Sequence, residues 1–385
     1  MINISEAVNM VIFILVFFLI LGLVVFVHEF GHFIMARRCG IFVEEFAMGM
    51  GPKILTFKGK KRSKTPREGE EEVTLYTLRA LPIGGFCKMR GMEEHIPDDP
   101  EAMNNKSVFD RILVIVGGSA MNFLLALIIF FALNFIYGYT TLVVTHVADA
   151  SPAQQAGLQV GDRITHANDS RVSLWENFIF VRDMNGTNPM DMRIIRDGQR
   201  ISLTIVPQEI NDGEYRLGFA PTHMVGRRIT IPEGFTDYER ASFIGSLTTS
   251  VNLIDFHIRT PFRLLTRFVT RQTLPEGVGV QSVIGIGAQV LEVYQETMQL
   301  EQNAIETTIL FMVSVTALIS VAIGIMNLLP IPALDGARLM FLIIEGIRKK
   351  PVSQEREGTV HMVGFVILMV LFVVVASRDI FNIIR

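Results

Sequence analysis

His28-Glu29-Phe30-Gly31-His32 stands at the inner end of an uncharged apolar run, Val8 to Val27, and this placement constrains the 385-residue chain most. As a helix, such a run reaches about 30 Å, one hydrocarbon thickness. Residues four apart share a helix face, so His28 and His32 can turn imidazole nitrogens toward one cation while Glu29, one step round, faces a water bound there. The spacing suits two zinc ligands and a general base. A bare HExxH also arises by chance, but ionisable residues inside an apolar span are costly and usually functional.

Composition agrees with a mixed molecule. Half of the residues are hydrophobic (50%), the mean hydropathy is +0.40 and the net charge is −3. That is too apolar for an ordinary soluble protein and too charged for a bundle of spans alone, so a membrane core with a soluble module is expected. The near-neutral balance, without a basic stripe interleaved with aromatics, argues against nucleic-acid binding. Cys39 and Cys87 are the only cysteines and neither has a CxxC neighbour; both read as incidental thiols on a reducing side. No Lys or Arg precedes the first apolar run and no small-residue cleavage pattern precedes the HExxH, so the N-terminal segment reads as a retained span.

Four stretches are long enough to cross: Val8 to Ala36, Ile112 to Tyr137, Thr307 to Leu329 and the shorter Val360 to Ser377. Lys53, Lys58, Lys60, Lys61, Lys64, Lys88 and Lys106 lie between the first two, Lys349 and Lys350 between the last two, and 138–306 contains no lysine. The positive-inside rule makes both lysine-bearing loops cytoplasmic, with the termini and 138–306 outside. In the first loop, Phe42–Met48, Ile54–Phe57 and Val73–Leu78 are β-prone and punctuated by Gly49, Gly51, Pro52, Pro82, Gly84 and Gly85, which predicts small antiparallel hairpins around a charged loop, Lys58 to Glu72. They read either as a structural cover or as an edge that adds a substrate strand.

Residues 142–221 alternate short strands with turns. The run Ser151 to Ile164 (SPAQQAGLQVGDRI) resembles the PDZ family, with Gly157 closing a short helix and Gly161-Asp162 turning into a strand; Asn168-Asp169 stands where that family often has Asn-Gly. From Ala241 to Thr270 an apolar stretch is interrupted by Arg259, Pro261, Arg263 and Arg267. It reads as an amphipathic helix on the outer interface or as a packed connector beneath the preceding module.

A catalytic zinc takes three protein ligands and keeps one open position. Of the other histidines, His146, His166, His223 and His257 fall in the outer segment, His95 in a polar loop, and His361 at the start of the last span. Asp335 is the better partner. It ends Asn327-Leu328-Leu329-Pro330-Ile331-Pro332-Ala333-Leu334-Asp335-Gly336, where two prolines stop a helix and Gly336 permits a turn that points the carboxylate back into the bundle. The alternative makes Asp335 the N-cap of a helix over Gly336–Ile347.

HEFGH in the first span, Gly118-Ser119-Ala120-Met121-Asn122 in the second, the PDZ-like run and NLLPIPALDG after the third occur in the order found in the site-2 protease family of intramembrane zinc metalloproteases. The chain resembles that family along almost its whole length and, more narrowly, its bacterial regulator-of-sigma-E branch. The resemblance implies Zn2+ held by His28, His32 and Asp335, Glu29 as catalytic base, Asn122 as a substrate-positioning group, and Gly84, Gly85 and Phe86 as part of a membrane-associated β-hairpin beside the substrate. Ser119 stands where a proline is common in the family, and Cys87 where an aliphatic residue is usual. The implied fold is a polytopic α-helical membrane protein of about four spans, with a cytoplasmic-side β-hairpin region and one extracytoplasmic PDZ-like domain. Its divisions would be 1–37, the first span; 38–107, the cytoplasmic loop; 108–139, the second span; 140–222, the PDZ-like domain; 223–304, the outer connector; and 305–385, the third and fourth spans.

The implied partners are the lipid bilayer and single-pass membrane substrates, such as an anti-sigma factor or signal-peptide remnants, cleaved at a bacterial inner membrane. The PDZ-like domain would bind the C-terminus of a pre-cleaved substrate or exclude bulky ones. A non-enzymatic scaffold and a transporter with a metal site are the rival classes.

Overall fold

Among the described residues, four helices are long and apolar enough to cross a membrane, with candidate spans Leu15–Arg38, Val108–Ile136, Thr308–Leu328 and Glu355–Asp379. The computed structural model describes residues 4–65, 73–92, 94–211, 214–220, 224–226, 238–270 and 304–384. His223, the end of the charged loop (66–72) and the connector beyond 270 lie outside the described residues. The chain divides into two compact units, Met1–Ala126 with Val280–Arg385, and Leu127–Gly279.

The first unit contains α1 (Ile4–Arg38), most of α2 (Val108–Ile136), α6 (Ala304–Leu328), α7 (Asp335–Arg348) and α8 (Gln354–Ile384). Helix α8 is longer than the expected Val360–Ser377. Its apolar centre carries polar turns at both ends, which a hydropathy reading trims away.

The hairpin region is a correction in detail. Instead of separate short hairpins, two long bent strands, β1 (Val43–Arg62) and β2 (Val73–Met89), fold into one sheet. Phe46 lies opposite Cys87 on one side and Tyr76 on the other, so the first half of β1 is flanked on both sides by β2. The second half of β1 pairs back with the first half of β2, from Lys53 opposite Arg79 to Arg62 opposite Val73. The expected charged loop therefore begins only after Arg62. Glycines make the bends: Gly49 has φ +83°, and a Cβ there would lie 2.4 Å from the Leu81 carbonyl oxygen. The sheet packs on α1 through Phe46, whose ring lies 5.1 Å from Phe33 and 5.7 Å from Phe26. The segment Gly85–Met89 pairs with β1 on one edge and with no described strand on the other.

One buried charge clamps this sheet. The Arg90 side chain is fully buried over the Phe42 ring, 4.5 Å from its centroid. It donates to Ser63 Oγ and the Thr65 carbonyl at 2.9 Å, and lies 3.4 Å from Asp99 and 3.8 Å from Glu101. Glu101 in turn accepts from Ser63 Oγ at 2.6 Å and from the Lys64 N–H at 2.8 Å.

The second unit is built on a four-stranded sheet in the order β6-β5-β7-β8. The strands are β5 (Arg163–Ala167), β6 (Ser170–Arg171), β7 (Met190–Arg196) and β8 (Gln199–Ile205). Before them come β3 (Tyr139–Thr140), β4 (His146–Val147) and the short helix α3 (Pro152–Gln155), capped by Ser151 Oγ accepting from the Gln154 N–H. Ile164, Met190, Met192 and Ile194 alternate inward from the sheet and pack with Phe178 of α4 (Trp175–Asn185). Asp162 is fully buried and takes two 2.7 Å hydrogen bonds from Arg196. Asn168 makes its turn with φ +51°, a conformation asparagine tolerates better than most residues. Helix α5 (Phe243–Val269) is amphipathic, as expected. One face packs within this unit, where Asn134 Nδ2 donates to Ser250 Oγ at 2.9 Å. The other face exposes Ile244, Val251, Leu265 and Val269.

Removing one partner of a buried ionic cluster leaves the rest uncompensated, at a cost of about 3–5 kcal/mol. Arg90→Ala should therefore lower the unfolding midpoint sharply in a detergent thermal melt, with the loss concentrated in the β1–β2 unit by hydrogen exchange. Acid should weaken the same clamp. Burial raises the Glu101 carboxyl, but the bonds from Ser63, Lys64 and Thr65 outweigh it and hold its pKa below the ordinary 4.5. The contribution is fully present above pH 4.5 and is lost as pH falls through the depressed value. Protection of β2 amides should decline over that acid window in the wild type and be flat in Glu101→Gln.

Candidate metal centre

The site begins with a close approach of two helix backbones. A Cβ on Gly31 would lie 2.2 Å from the Gly117 carbonyl oxygen, so α1 and α2 meet at glycine on both sides. A Cβ on Gly118 would lie 2.5 Å from His32 Nε2 and 2.8 Å from His28 Nε2. Glycine there leaves room for the two imidazoles.

His28 and His32 are each 5% exposed and one helical turn apart. Their Nε2 atoms are 3.2 Å apart, and each lies close to Asp335 Oδ2, at 3.0 Å and 3.1 Å respectively. Tetrahedral zinc with bonds of about 2.0–2.1 Å sets its ligand atoms about 3.3 Å apart. These three atoms thus approximate one face of such a tetrahedron, and the donor set, two imidazoles and a carboxylate, suits zinc. His32 Nδ1–H donates to the Val114 carbonyl at 2.8 Å, which leaves Nε2 with a free lone pair toward the cluster. Burial opposes the Asp335 charge, but its close contacts with the two imidazoles outweigh it and hold its pKa well below the usual carboxylate range. A carboxylate favoured in its charged form suits a cation.

Asp335 reaches the site because α6 stops at Leu328 and the chain turns sharply. A Cβ on Gly336 would lie 2.0 Å from the Leu329 carbonyl oxygen, so only glycine fits the turn. The helix α7 is capped at Leu334 without a side-chain bond. The capping alternative for Asp335 is thereby overturned: the residue occupies the first turn and its carboxylate points at the histidines. Ala333, at φ +76°, donates its N–H to His361 Nδ1 at 2.9 Å.

Strand β2 covers the centre. The Glu29 carboxylate accepts from the Cys87 backbone N–H. A Cβ on Gly85 would lie 3.5 Å from Glu29 Cγ. Burial pushes the Cys87 thiol up, and the Glu29 carboxylate adds to the shift, so it is a neutral side chain. A cavity of about 390 Å³ opens beside Glu29, His32 and Asp335, walled by Phe86, Arg338 and His361 among others. Asn122 is fully buried with its amide 3.4 Å from His28 Nδ1. Its Oδ1 has no partner among the described residues. With the amide oxygen turned to the ring instead, it would accept from His28 Nδ1–H and leave Nε2 of that ring unprotonated. Of the expected site residues, His28, Glu29, His32, Asp335, Asn122, Gly85 and Phe86 converge here, whereas Gly84 turns at φ +80° against Met50.

Residues 16–371 match peptidase family M50. The chain belongs to peptidase family M50. Among its relatives is a Clostridium acetobutylicum protein provisionally named a zinc metalloprotease, 33% identical over 374 residues, 97% of each chain. The zinc metalloprotease RasP of Oceanobacillus iheyensis is 29% identical, covering 94% of this chain and 97% of its own. The Enterococcus faecalis protein provisionally named protease Eep is 27% identical, covering 95% and 98%. The resemblance to site-2 proteases is thus borne out.

In this M50 chain, sequence reasoning passed over Gly31, Gly117, the Val114 carbonyl, Arg338 and the inward role of His361. Small residues one turn apart in apolar helices signal close packing, and Gly31 facing Gly117-Gly118 could have been found that way. The carbonyl and His361 carry no such signal. Gly118→Ala should place a methyl group against both imidazoles and lower metal affinity roughly 10- to 100-fold. Metal content after dialysis against a graded chelator series measures this, and an unchanged retention curve would separate Gly118 from the centre.

Proposed function

We propose that this protein is an intramembrane zinc endopeptidase in which His28, His32 and Asp335 hold the metal and Glu29 is the catalytic base. The observation that carries this reading is the meeting of three ligand atoms within 3.0–3.2 Å of one another at the end of an apolar helix. The zinc metalloprotease names of the relatives support the choice of ion. A scaffold would have no use for such convergence.

Zinc bound there supplies Lewis acidity, lowering the pKa of a water and polarising a peptide carbonyl. The chain's own residues do the rest. Glu29, oriented by the Cys87 N–H, takes the proton of the attacking water and returns it to the leaving amine. Asn122 holds the His28 ring and so sets which nitrogen faces the ion. A substrate helix hides its carbonyls in i→i−4 bonds, and an unwound backbone in lipid is expensive. The edge of Gly85–Met89 turned away from β1 offsets that cost by adding the substrate as a strand, with Phe86 against its side chains and Gly84 giving the bend that aims the edge.

Lysine placement supports a cytoplasmic β1–β2 sheet, with both termini and the Leu127–Gly279 unit outside a bacterial inner membrane. The Ser151-capped helix, the turns at Gly157 and Gly161 and the β5–β8 sheet support a PDZ-like module. It binds the C-terminus of a pre-cleaved substrate or screens bulky ones. Substrates are single-pass proteins, cut in regulated intramembrane proteolysis of anti-sigma factors or signal-peptide remnants.

Glu29→Gln should keep equal zinc and lose cleavage of a single-span substrate by at least roughly 10²-fold. Cleavage retained in metal-verified protein would sink the assignment. Asp335→Asn should lose zinc on dialysis, and full retention would remove Asp335 from the ligand set.

A further inference from the structure

Within the Leu127–Gly279 unit, four arginines share one face of the sheet. Outward positions alternate with the buried ones, so Arg163, Arg193 and Arg200 project opposite to Ile164, Ile194 and Ile205. Register builds two adjacent rows. Arg171 lies opposite His166, His166 opposite Arg193, and Arg193 opposite Ser202. In the next row Arg163 lies opposite Ile195, which lies opposite Arg200. With strands about 4.8 Å apart, the four guanidinium groups hang over one small area.

These groups form a wall of a cavity of about 920 Å³, and none of its described lining residues is acidic. Asp191, the next outward residue on β7, lies outside it and accepts from Thr204 at 2.7 Å. Burial and the charges of Arg193, Arg171 and Arg200 all push His166 down, as expected where cations outnumber anions. Helix α5 also lines it, contributing Thr248, Thr249 and Asn252, all neutral hydrogen-bonding side chains.

The height of this cavity relative to the apolar span decides its occupant. Tyr139 to Val143, which line it, follow the α2 span end at Ile136 by only a few residues. Phe243 in the first turn of α5 packs on Phe131 and Phe135 in the last turns of α2, with ring centroids 4.9 Å and 6.5 Å away. Phe243, Ile244 and Val251 of α5 are 61%, 75% and 50% exposed. An apolar stripe outward and a polar face behind it is the pattern of a helix lying in the membrane interface. The headgroup layer on each side of the hydrocarbon is only about 5–8 Å thick, so a cavity lined this close to the span end begins at or just beyond that layer.

We propose that this cavity binds the phosphate headgroup of an anionic phospholipid from the leaflet at the C-terminal end of α2. Arginine's planar fork matches phosphate oxygens bidentately, and the threonine hydroxyls and Asn252 amide complete the shell. The site requires that α2 cross a membrane; it is independent of whether Glu29 works as a base.

The test is native mass spectrometry of the full chain, released from detergent after mixing with phosphatidylglycerol or phosphatidylcholine. Wild type should retain phosphatidylglycerol in preference. Arg193→Gln with Arg200→Gln should lower that retention roughly 10- to 30-fold, while the Lys pair at the same positions should keep most of it. Melting midpoints in phosphatidylcholine report folding; if the Gln pair melts early, Arg171→Gln at the sheet edge takes its place, with a several-fold loss expected. Equal retention of both lipids by wild type, or retention unchanged in the folded variants, overturns the proposal. So does displacement of the lipid by millimolar inorganic phosphate, which would mark a soluble-anion site. Preferential capture of a glutamate-rich peptide would mark a peptide groove and overturn it equally.

Discussion

The metal centre depends on how closely two helix backbones approach in an apolar setting. Between apolar helices in lipid, burial of apolar surface gives no net drive, so packing and a few polar contacts must hold them. Gly31 against Gly117 permits the approach, and Gly118 leaves the imidazoles room that any side chain would fill. The same closeness brings the Val114 carbonyl to His32 Nδ1. On the neighbouring helix Ser320 Oγ donates to the Asn122 carbonyl at 2.8 Å, tying α6 to α2 beside the residue that meets His28. Asp335 then arrives on the turn that follows α6. A helix-spacing rule explains the histidine pair alone; the arrival of the Asp335 carboxylate beside it is a product of this packing.

The four spans were legible because hydropathy over twenty residues is a strong signal, and HEFGH because a spacing of four is fixed by the helix itself. Asp335 was legible through Pro330, Pro332 and Gly336, which mark a turn whatever surrounds them. The β1–β2 sheet was legible only as strand-prone pieces. Phe46 gives no local hint that it faces both Tyr76 and Cys87, since register across a long loop is set by partners. The arginine rows are hidden for the same reason: Arg171 and Arg200 sit 29 positions apart in sequence, and only the strand order brings them together. His361 read as a residue at the mouth of a span, because nothing local shows that it receives the Ala333 N–H.

Strand β2 joins scaffold to chemistry. Its end at Met89 is followed at once by Arg90, whose buried guanidinium is fixed by Ser63, Thr65 and Asp99. Two residues earlier, the Cys87 N–H meets the Glu29 carboxylate. A shift of the strand would change the direction of that hydrogen bond before it changed any metal ligand. The clamp therefore bears on Glu29 more directly than on the His28, His32 and Asp335 cluster, and loosening it should move the first before it moves the second.

Charge is handled differently in the two units. In the first, Arg90 is enclosed by acids, Arg111 meets Glu345 through Nη1 at 3.0 Å, and Asp335 meets two imidazoles. Each of these charges near the apolar core has a described counterpart. The second unit treats Arg196 the same way, giving it the buried Asp162. On the outer face of the same sheet that rule lapses, and four arginines share a cavity whose described walls hold no carboxylate. Water could solvate such a surface anywhere on the domain. Its position behind an apolar helix stripe, beside the end of a span, is where phosphate is the dominant anion of a bilayer, so the missing counterion is supplied by the solvent that this fold is built to occupy.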